Sequence, residues 1–270
     1  MISANVLVKN EENFIWYSVV SVINFVDEVL IWDTGSTDAT KEIIKEITKR
    51  YPGKVNYKDV GEVDENKYSE IRQQMLDQSK HDWIFILDGD EIYFESSIRQ
   101  ITTEIKQNGN KLDSIVVPTM NLVGDIYHYQ EENAGNYRLL GRKGHLALRF
   151  MNRKNISGLH VFEIYGKEGF ADSNNIPIQN RNEDKILFID APYIHTTHLP
   201  RSRNDNAVMQ RAKKLKHEIG IDFPKDFYYP ESFFKERPHI VPNVWNNMEI
   251  GFKLRALIET PLRKLKRRIR

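Results

Sequence analysis

The chain has 270 residues, 29% charged and 40% apolar, with a formal net charge of +1. This is the balance of a globular chain long enough to bury a large core, and it excludes a polyanion binder by bulk charge, so no nucleic-acid partner is expected. The lack of cysteine excludes disulfides and thiolate metal sites and fits a reducing, cytoplasmic compartment.

Residues Ile2 to Val8 alternate weakly and then run Val6-Leu7-Val8, which predicts a first strand. The polar turn Lys9-Asn10-Glu11-Glu12-Asn13 carries helix-starting carboxylates, and Ile15, Val19, Val22, Ile23 and Val26 recur on one face of the helix that follows. Val29 to Trp32 reads as a second buried strand ending at Asp33. Thr34-Gly35-Ser36-Thr37-Asp38 is a tight turn with N-cap residues, ahead of a helix marked by Ile43, Ile44 and Ile47 and stopped by Pro52-Gly53. A third strand is predicted over Val55 to Val60, then a helix with Ile71, Met75 and Leu76 inward. It leads into Trp83-Ile84-Phe85-Ile86-Leu87-Asp88-Gly89-Asp90-Glu91, an apolar run reading as a buried strand with carboxylates at its end. Strand alternation would aim Asp88 and Asp90 to the same side. The order β-α-β-α-β-α-β predicts an α/β fold with a mostly parallel sheet, flanked by helices, whose ligands bind beyond the carboxyl ends of the strands.

After Asp90 the pattern loosens. Ser96-Ser97 precede a helix carrying Ile98, Ile101 and Ile105, and Ser114 to Val117 reads as a strand. From Met120 to Ile194 short strands with Gly and Asn turns, including His145 to Met151 and Leu159 to Tyr165, predict an antiparallel or mixed extension of the same sheet. From Arg201 a helix is expected over Ala207 to Ile219, then an irregular segment rich in Pro and aromatics from Phe223 to Trp245, then a basic helix. The chain is thus divided into a catalytic-type α/β domain over 1–200 and a helical extension over 201–270.

Three acidic sites fall at strand ends: Glu11 with Glu12, Asp33, and Asp88 with Asp90. Two carboxylates held close repel unless a positive group sits between them, and a hard divalent cation carrying a diphosphate supplies that charge. A plain β-turn is the other reading of Asp88-Gly89-Asp90. No Gly-x-Gly-x-x-Gly follows the first strand and no Walker lysine pattern occurs, which argues against a dinucleotide dehydrogenase or a P-loop enzyme.

The blocks Val6-Leu7-Val8-Lys9-Asn10-Glu11-Glu12, Asp27 to Asp38 and Asp82 to Glu91 together resemble the family-2 glycosyltransferases of the GT-A fold, in order and spacing. The resemblance covers roughly residues 1–95. It implies a Rossmann-like GT-A sheet, a nucleotide-sugar donor (UDP-linked), inversion at the transferred sugar, and a glycan or lipid-linked acceptor of envelope-polysaccharide type. It also implies that Val8, Asn10 and Glu12 line the nucleotide pocket and that Asp33 contacts uracil or ribose. Asp88 and Asp90 match the family's Asp-x-Asp motif, with Asp90 a Mn²⁺ or Mg²⁺ ligand and Asp88 on the metal or the ribose. Arg72, in Ser69-x-x-Arg72, would offset diphosphate charge; the alternative is a solvated helix face. His195 and His198 in His195-Thr196-Thr197-His198-Leu199-Pro200-Arg201-Ser202 are candidates to complete the metal shell, or are structural. An inverting transferase needs a carboxylate base near the acceptor hydroxyl, for which Glu163 and Glu91 are the candidates. A non-catalytic nucleotide- or glycan-binding module on the same fold is the competing class, and a nucleotidyltransferase on a related sheet is a further one.

No signal-peptide pattern opens the sequence and no apolar run is long enough to span a bilayer. The end of the chain, Pro261 to Arg270, is dense in Arg and Lys, and Leu254, Leu257, Ile258, Leu262, Leu265 and Ile269 form an apolar stripe. Such a helix can lie on an anionic membrane, which would place the protein at the inner face of a membrane; a solvated basic end is the plainer reading.

Overall fold

A computed structural model of the chain describes residues 1–162, 169–208 and 210–268. The first half alternates as the periodicity predicts: β1 (Ile2–Val8), α1 (Ile15–Val22), β2 (Glu28–Asp33), α2 (Thr40–Arg50), β3 (Val55–Asp59), α3 (Glu65–Gln78) and β4 (Trp83–Ile86). β1 pairs in parallel with β2 and with β4, and β2 with β3, giving the order β3-β2-β1-β4. β1, β2 and β4 are buried along their whole length, as expected of strands covered on both faces.

The sheet then continues in mixed sense. After β5 (Glu91–Tyr93) and α4 (Glu95–Asn108) come β6 (Ser114–Val123), β7 (Asp125–Tyr129), the hairpin β8 (Tyr137–Leu139) and β9 (Arg142–Gly144), and β10 (Leu146–Asn152). β10 inserts antiparallel between β4 and β6. β11 (His160–Phe162) and β12 (Gly169–Ala171) form a separate hairpin, and β13 (Ile186–Phe188) and β14 (Tyr193–His198) run parallel to β6. β14 also pairs antiparallel with β5, and this ties the residues after Asp90 to those before Arg201. β6 is longer than the predicted Ser114 to Val117 because its second half is taken up by β14 and β7.

All eight residues of α1 are buried, not only the predicted stripe. Its outer side is covered by the Pro- and aromatic-rich segment. Tyr17 donates its hydroxyl to the Pro242 carbonyl at 2.7 Å and meets Phe233 edge-on at 5.4 Å. Phe223, Phe227, Tyr229 and Trp245 pack with that cluster. Each apolar side chain so enclosed contributes about 1.5–3 kcal/mol, which fixes this segment with only a short 3-10 turn at Glu231–Phe233.

Two expectations change. The helix expected over Ala207 to Ile219 is only the single turn α5 (Arg211–Lys214), because Leu215 turns extended and the Lys214 carbonyl accepts from His198 Nδ1 at 2.7 Å. β4 stops at Ile86, so Asp88 and Asp90 sit in a turn and strand alternation does not set their direction. The chain closes with the edge strand β15 (Ile221–Asp222) and α6 (Ile250–Arg268), which continues through Pro261.

Candidate functional site

β1 and β4 are neighbours from which the sheet grows in opposite directions, and their carboxyl ends open into one crevice. β1 runs on to Val8, whereas β4 ends opposite Asn5. The chain leaving β4 therefore folds beneath residues 8–11. The turn is held by the Asp88 carbonyl, which accepts from Ser18 Oγ at 3.0 Å and Glu91 N at 3.1 Å. Gly89 permits this approach. A Cβ there would lie 2.9 Å from Glu11 Cγ and 3.1 Å from Val8 Cγ1.

A cavity of about 430 Å³ lies over this turn. Val8, Lys9 and Glu11 reach it from the end of β1, Thr34 from the end of β2, and Asp88, Gly89 and Asp90 from the turn after β4. Arg72 comes from α3, Arg149 from β10, His195 from β14, and Arg201, Arg211 and Lys214 from the segment beyond. Six cations (Lys9, Arg72, Arg149, Arg201, Arg211, Lys214) thus face three carboxylates (Glu11, Asp88, Asp90). The boundary drawn at residue 200 falls inside this site.

The two aspartates are held by different partners. Asp90 Oδ2 lies 2.5 Å from Arg201 Nη1 and 3.3 Å from His195 Nε2. Burial pushes its carboxyl up, but Arg201 and His195 outweigh burial and hold it well below the usual carboxylate range. Asp88 Oδ2 lies 3.1 Å from Arg149 Nη2, and its Oδ1 is 3.8 Å from Arg72 Nη2. Burial again opposes ionisation, and Arg149 and then Arg72 lower the carboxyl in spite of it. Glu11 accepts from Arg211 Nη2 at 2.6 Å and meets Arg201 Nη1 at 3.1 Å, but burial pushes its carboxyl up to about 7. Its Oε2 is buried with no hydrogen-bond partner among the described residues.

The residues that would hold a hard divalent cation here are Asp90, Asp88 and His195. Asp90 Oδ2 and His195 Nε2 converge on the cavity with the Asp88 carboxylate beside them. Among the described residues no three acidic or imidazole groups close on one point. Asp90, Asp88 and His195 would supply one or two carboxylates and an imidazole, and the remaining positions would fall to water and phosphate oxygens.

The other candidates divide. Arg72 is buried on the cavity wall, so it is not a solvated helix face. Asp33 is fully buried; Oδ1 accepts from Gly35 N at 3.0 Å and Ser36 N at 2.7 Å, while Oδ2 has no partner among the described residues. Asp33, Asn10 and Glu12 do not line the cavity. Asn10, at φ +52°, accepts from Thr37 N at 2.8 Å, and Glu12 accepts from Ala39 N at 3.1 Å and Arg203 N at 2.9 Å. They clamp the loop after β1 to the loops at 37–39 and 201–204, and the turn presents Glu11 inward in their place. Glu91 is fully buried behind the cavity, accepting from Tyr193 Oη at 2.6 Å and from Arg149. His198 is also turned away from the cavity: its Nδ1 donates to the Lys214 carbonyl, and burial, with Lys216 nearby, pushes it down to about 3. Glu163 lies outside the described residues.

Sequence reading missed Arg149, Arg211 and Lys214 altogether. Arg149 carried a signal, being an arginine inside an otherwise apolar strand. The register of β10 slips between Leu148 and Phe150, and this bulge sets Arg149 against Asp88 and Glu91. Arg211 and Lys214 had none, since they follow the first ninety residues by a long, motif-poor stretch.

The profile of Glycosyl transferase family 2 matches residues 3–170. Comparison with curated proteins gives no match. Among solved structures, a fragment of TarS from S. aureus (residues 1–349) aligns at 18% identity, covering 73% of this chain and 60% of the fragment, with a TM-score of 0.46. The same fragment solved with UDP-GlcNAc aligns at 15% identity, 72% and 58% coverage and a TM-score of 0.46. Glucosyl-3-phosphoglycerate synthase from Mycobacterium tuberculosis, solved with Mn²⁺, UDP-Glc and phosphoglyceric acid, aligns at 16% identity, 80% and 77% coverage and a TM-score of 0.47. The chain spans 37% of the longer TarS structure.

Proposed function

This chain belongs to glycosyl transferase family 2, and from that premise we propose that it moves a sugar from a nucleoside diphosphate sugar, UDP-linked, to an acceptor hydroxyl on a glycan or lipid-linked molecule, as in envelope polysaccharide or lipopolysaccharide-type synthesis. The observation that carries the reading is the charge of the cavity. Its three more cations than carboxylates, set at the carboxyl ends of β1, β2 and β4, suit a diphosphate.

In this reading Arg149 and Arg72 keep Asp88 ionised and offer planar donors to the diphosphate. Arg201 bridges Glu11 and Asp90, and His195 meets the same Asp90 oxygen. A divalent cation bound through Asp90 and His195, with Asp88 alongside, would neutralise charge on the diphosphate as the sugar departs. Donors fixed in place before the charge develops stabilise it at no cost in reorganisation. Direct displacement with inversion needs a carboxylate to take the acceptor proton. Glu91 is committed to Tyr193 and Arg149 and serves as a positioning residue, so Glu163 is the base in this proposal.

The test is release of UDP from a panel of UDP-sugars, without acceptor, with and without Mn²⁺ or Mg²⁺. Slow metal-dependent hydrolysis of one donor is expected, lowered about a hundredfold in Asp90→Asn at unchanged fold. Equal release by Asp90→Asn would remove Asp90 from the mechanism. Binding of UDP without release from any donor would favour the non-catalytic module.

A further inference from the structure

The last helix carries an apolar face that points away from the protein. At about 3.6 residues per turn, Phe252, Ala256, Thr260, Arg263 and Arg267 share the side that meets the body. Ala256 and Thr260 are buried, and Thr260 Oγ1 accepts from Ile219 N at 2.8 Å. The Arg267 guanidinium spans both Glu218 oxygens at 2.5 and 2.6 Å and reaches Glu131 at 2.7 Å. The helix is therefore held in one rotation. Its opposite side presents Ile250, Leu254, Leu257, Ile258, Leu262 and Leu265, which are 79, 60, 53, 71, 64 and 58% exposed. Scattered apolar side chains on a surface need no explanation, but six aligned along about four turns of one helix form a contiguous patch.

The charges around the stripe say what covers it. Lys253 and Lys264 flank it on one side, Arg255 and Lys266 on the other, and Arg268 stands at its end. The single acid of the helix, Glu259, lies between Arg255 and Arg263 and is tied to each at 2.8 Å. The outward face is thus apolar with cationic edges and no carboxylate. A second copy of the same face would set these cations against their own kind. An anionic lipid surface matches both features, with apolar side chains at the acyl boundary and cations among the headgroups. No helix of the described residues is long and apolar enough to cross a membrane, so the contact is one of lying on the surface.

We propose that α6 docks this chain on an anionic bilayer surface through the stripe from Ile250 to Leu265. The inference stands apart from the identity of the donor. It is tested by sedimenting the full chain with phosphatidylcholine vesicles containing about a third phosphatidylglycerol, and with phosphatidylcholine alone. Binding about tenfold tighter to the anionic vesicles is expected, weakening with salt. In Ile258→Glu/Leu262→Glu that binding should fall about tenfold or more, with thermal midpoint and donor hydrolysis in solution unchanged, since both side chains face solvent. Lys264→Gln/Lys266→Gln should lose affinity for the anionic vesicles only. No binding to anionic vesicles, or equal binding by the Glu variant, overturns the proposal. A dimer in light scattering that the Glu variant dissolves, without vesicle binding, overturns it in favour of a second copy.

Discussion

At the scale of single residues, the site depends on which charge each side chain is made to keep. Asp90 is kept ionised by Arg201 and His195, while Glu11, a few ångströms of loop away, is pushed towards neutrality by burial. His198 shows the same competition without a carboxylate beside it. Its folded pKa, about 3, lies below the 6.5 of an exposed imidazole. The folded state therefore binds fewer protons than the unfolded chain between those values, and stability present above pH 6.5 is lost as pH falls towards 3. At pH 5 the loss is on the order of 2 kcal/mol. In His198→Asn, whose amide can still donate to the Lys214 carbonyl, urea unfolding followed against pH should show a flatter acid limb. An unchanged slope would mean that other groups carry the acid sensitivity.

At the scale of elements, β10 does more than extend the sheet. Its bulge at Arg149 places a guanidinium between Asp88, which faces the cavity, and Glu91, which is buried behind it. Removing the cation leaves Glu91 a buried carboxylate without its counter-charge. Arg149→Met should then cost about 3 kcal/mol, and the double variant Arg149→Met/Glu91→Gln should recover most of it, because the loss is one of charge and not of packing. Chemical denaturation of the two single variants and the double reads this. Additive losses would sink the argument. Arg149→Met and the double variant should both lose nucleotide affinity, since the guanidinium is gone from the cavity wall.

At the scale of the whole molecule, the cavity joins residues some two hundred positions apart in the sequence. Arg211 donates to the Lys9 carbonyl at 2.8 Å and to Glu11, and Asn13 N donates to the Arg201 carbonyl at 3.0 Å. A ligand seated between them stabilises the fold as a unit. UDP with Mn²⁺ at about a hundred times its Kd should add about 2.7 kcal/mol, seen as a rise of several degrees in Tm by scanning calorimetry. Arg211→Ala should shrink that rise. A full rise in Arg211→Ala would mean that the C-terminal segment takes no part in binding.

The alternation of elements over the first ninety residues, the strand-end carboxylates and the outward stripe of the last helix were all legible in the sequence, because hydrophobic period and turn chemistry are local properties. Val8, Arg72, Asp88, Asp90 and His195, which the family resemblance marks, all stand at the cavity. Local pattern did not decide which of Glu11 and Glu12 turns inward, where β4 stops, or that Arg149, Arg211 and Lys214 supply the balancing charge. Those follow from a bulge, a fold-back turn beneath Val8 to Glu11, and contacts across some two hundred residues of chain. Only the folded chain brings such groups within reach of one another, and Coulomb's law acts on distance in space and not on position in sequence.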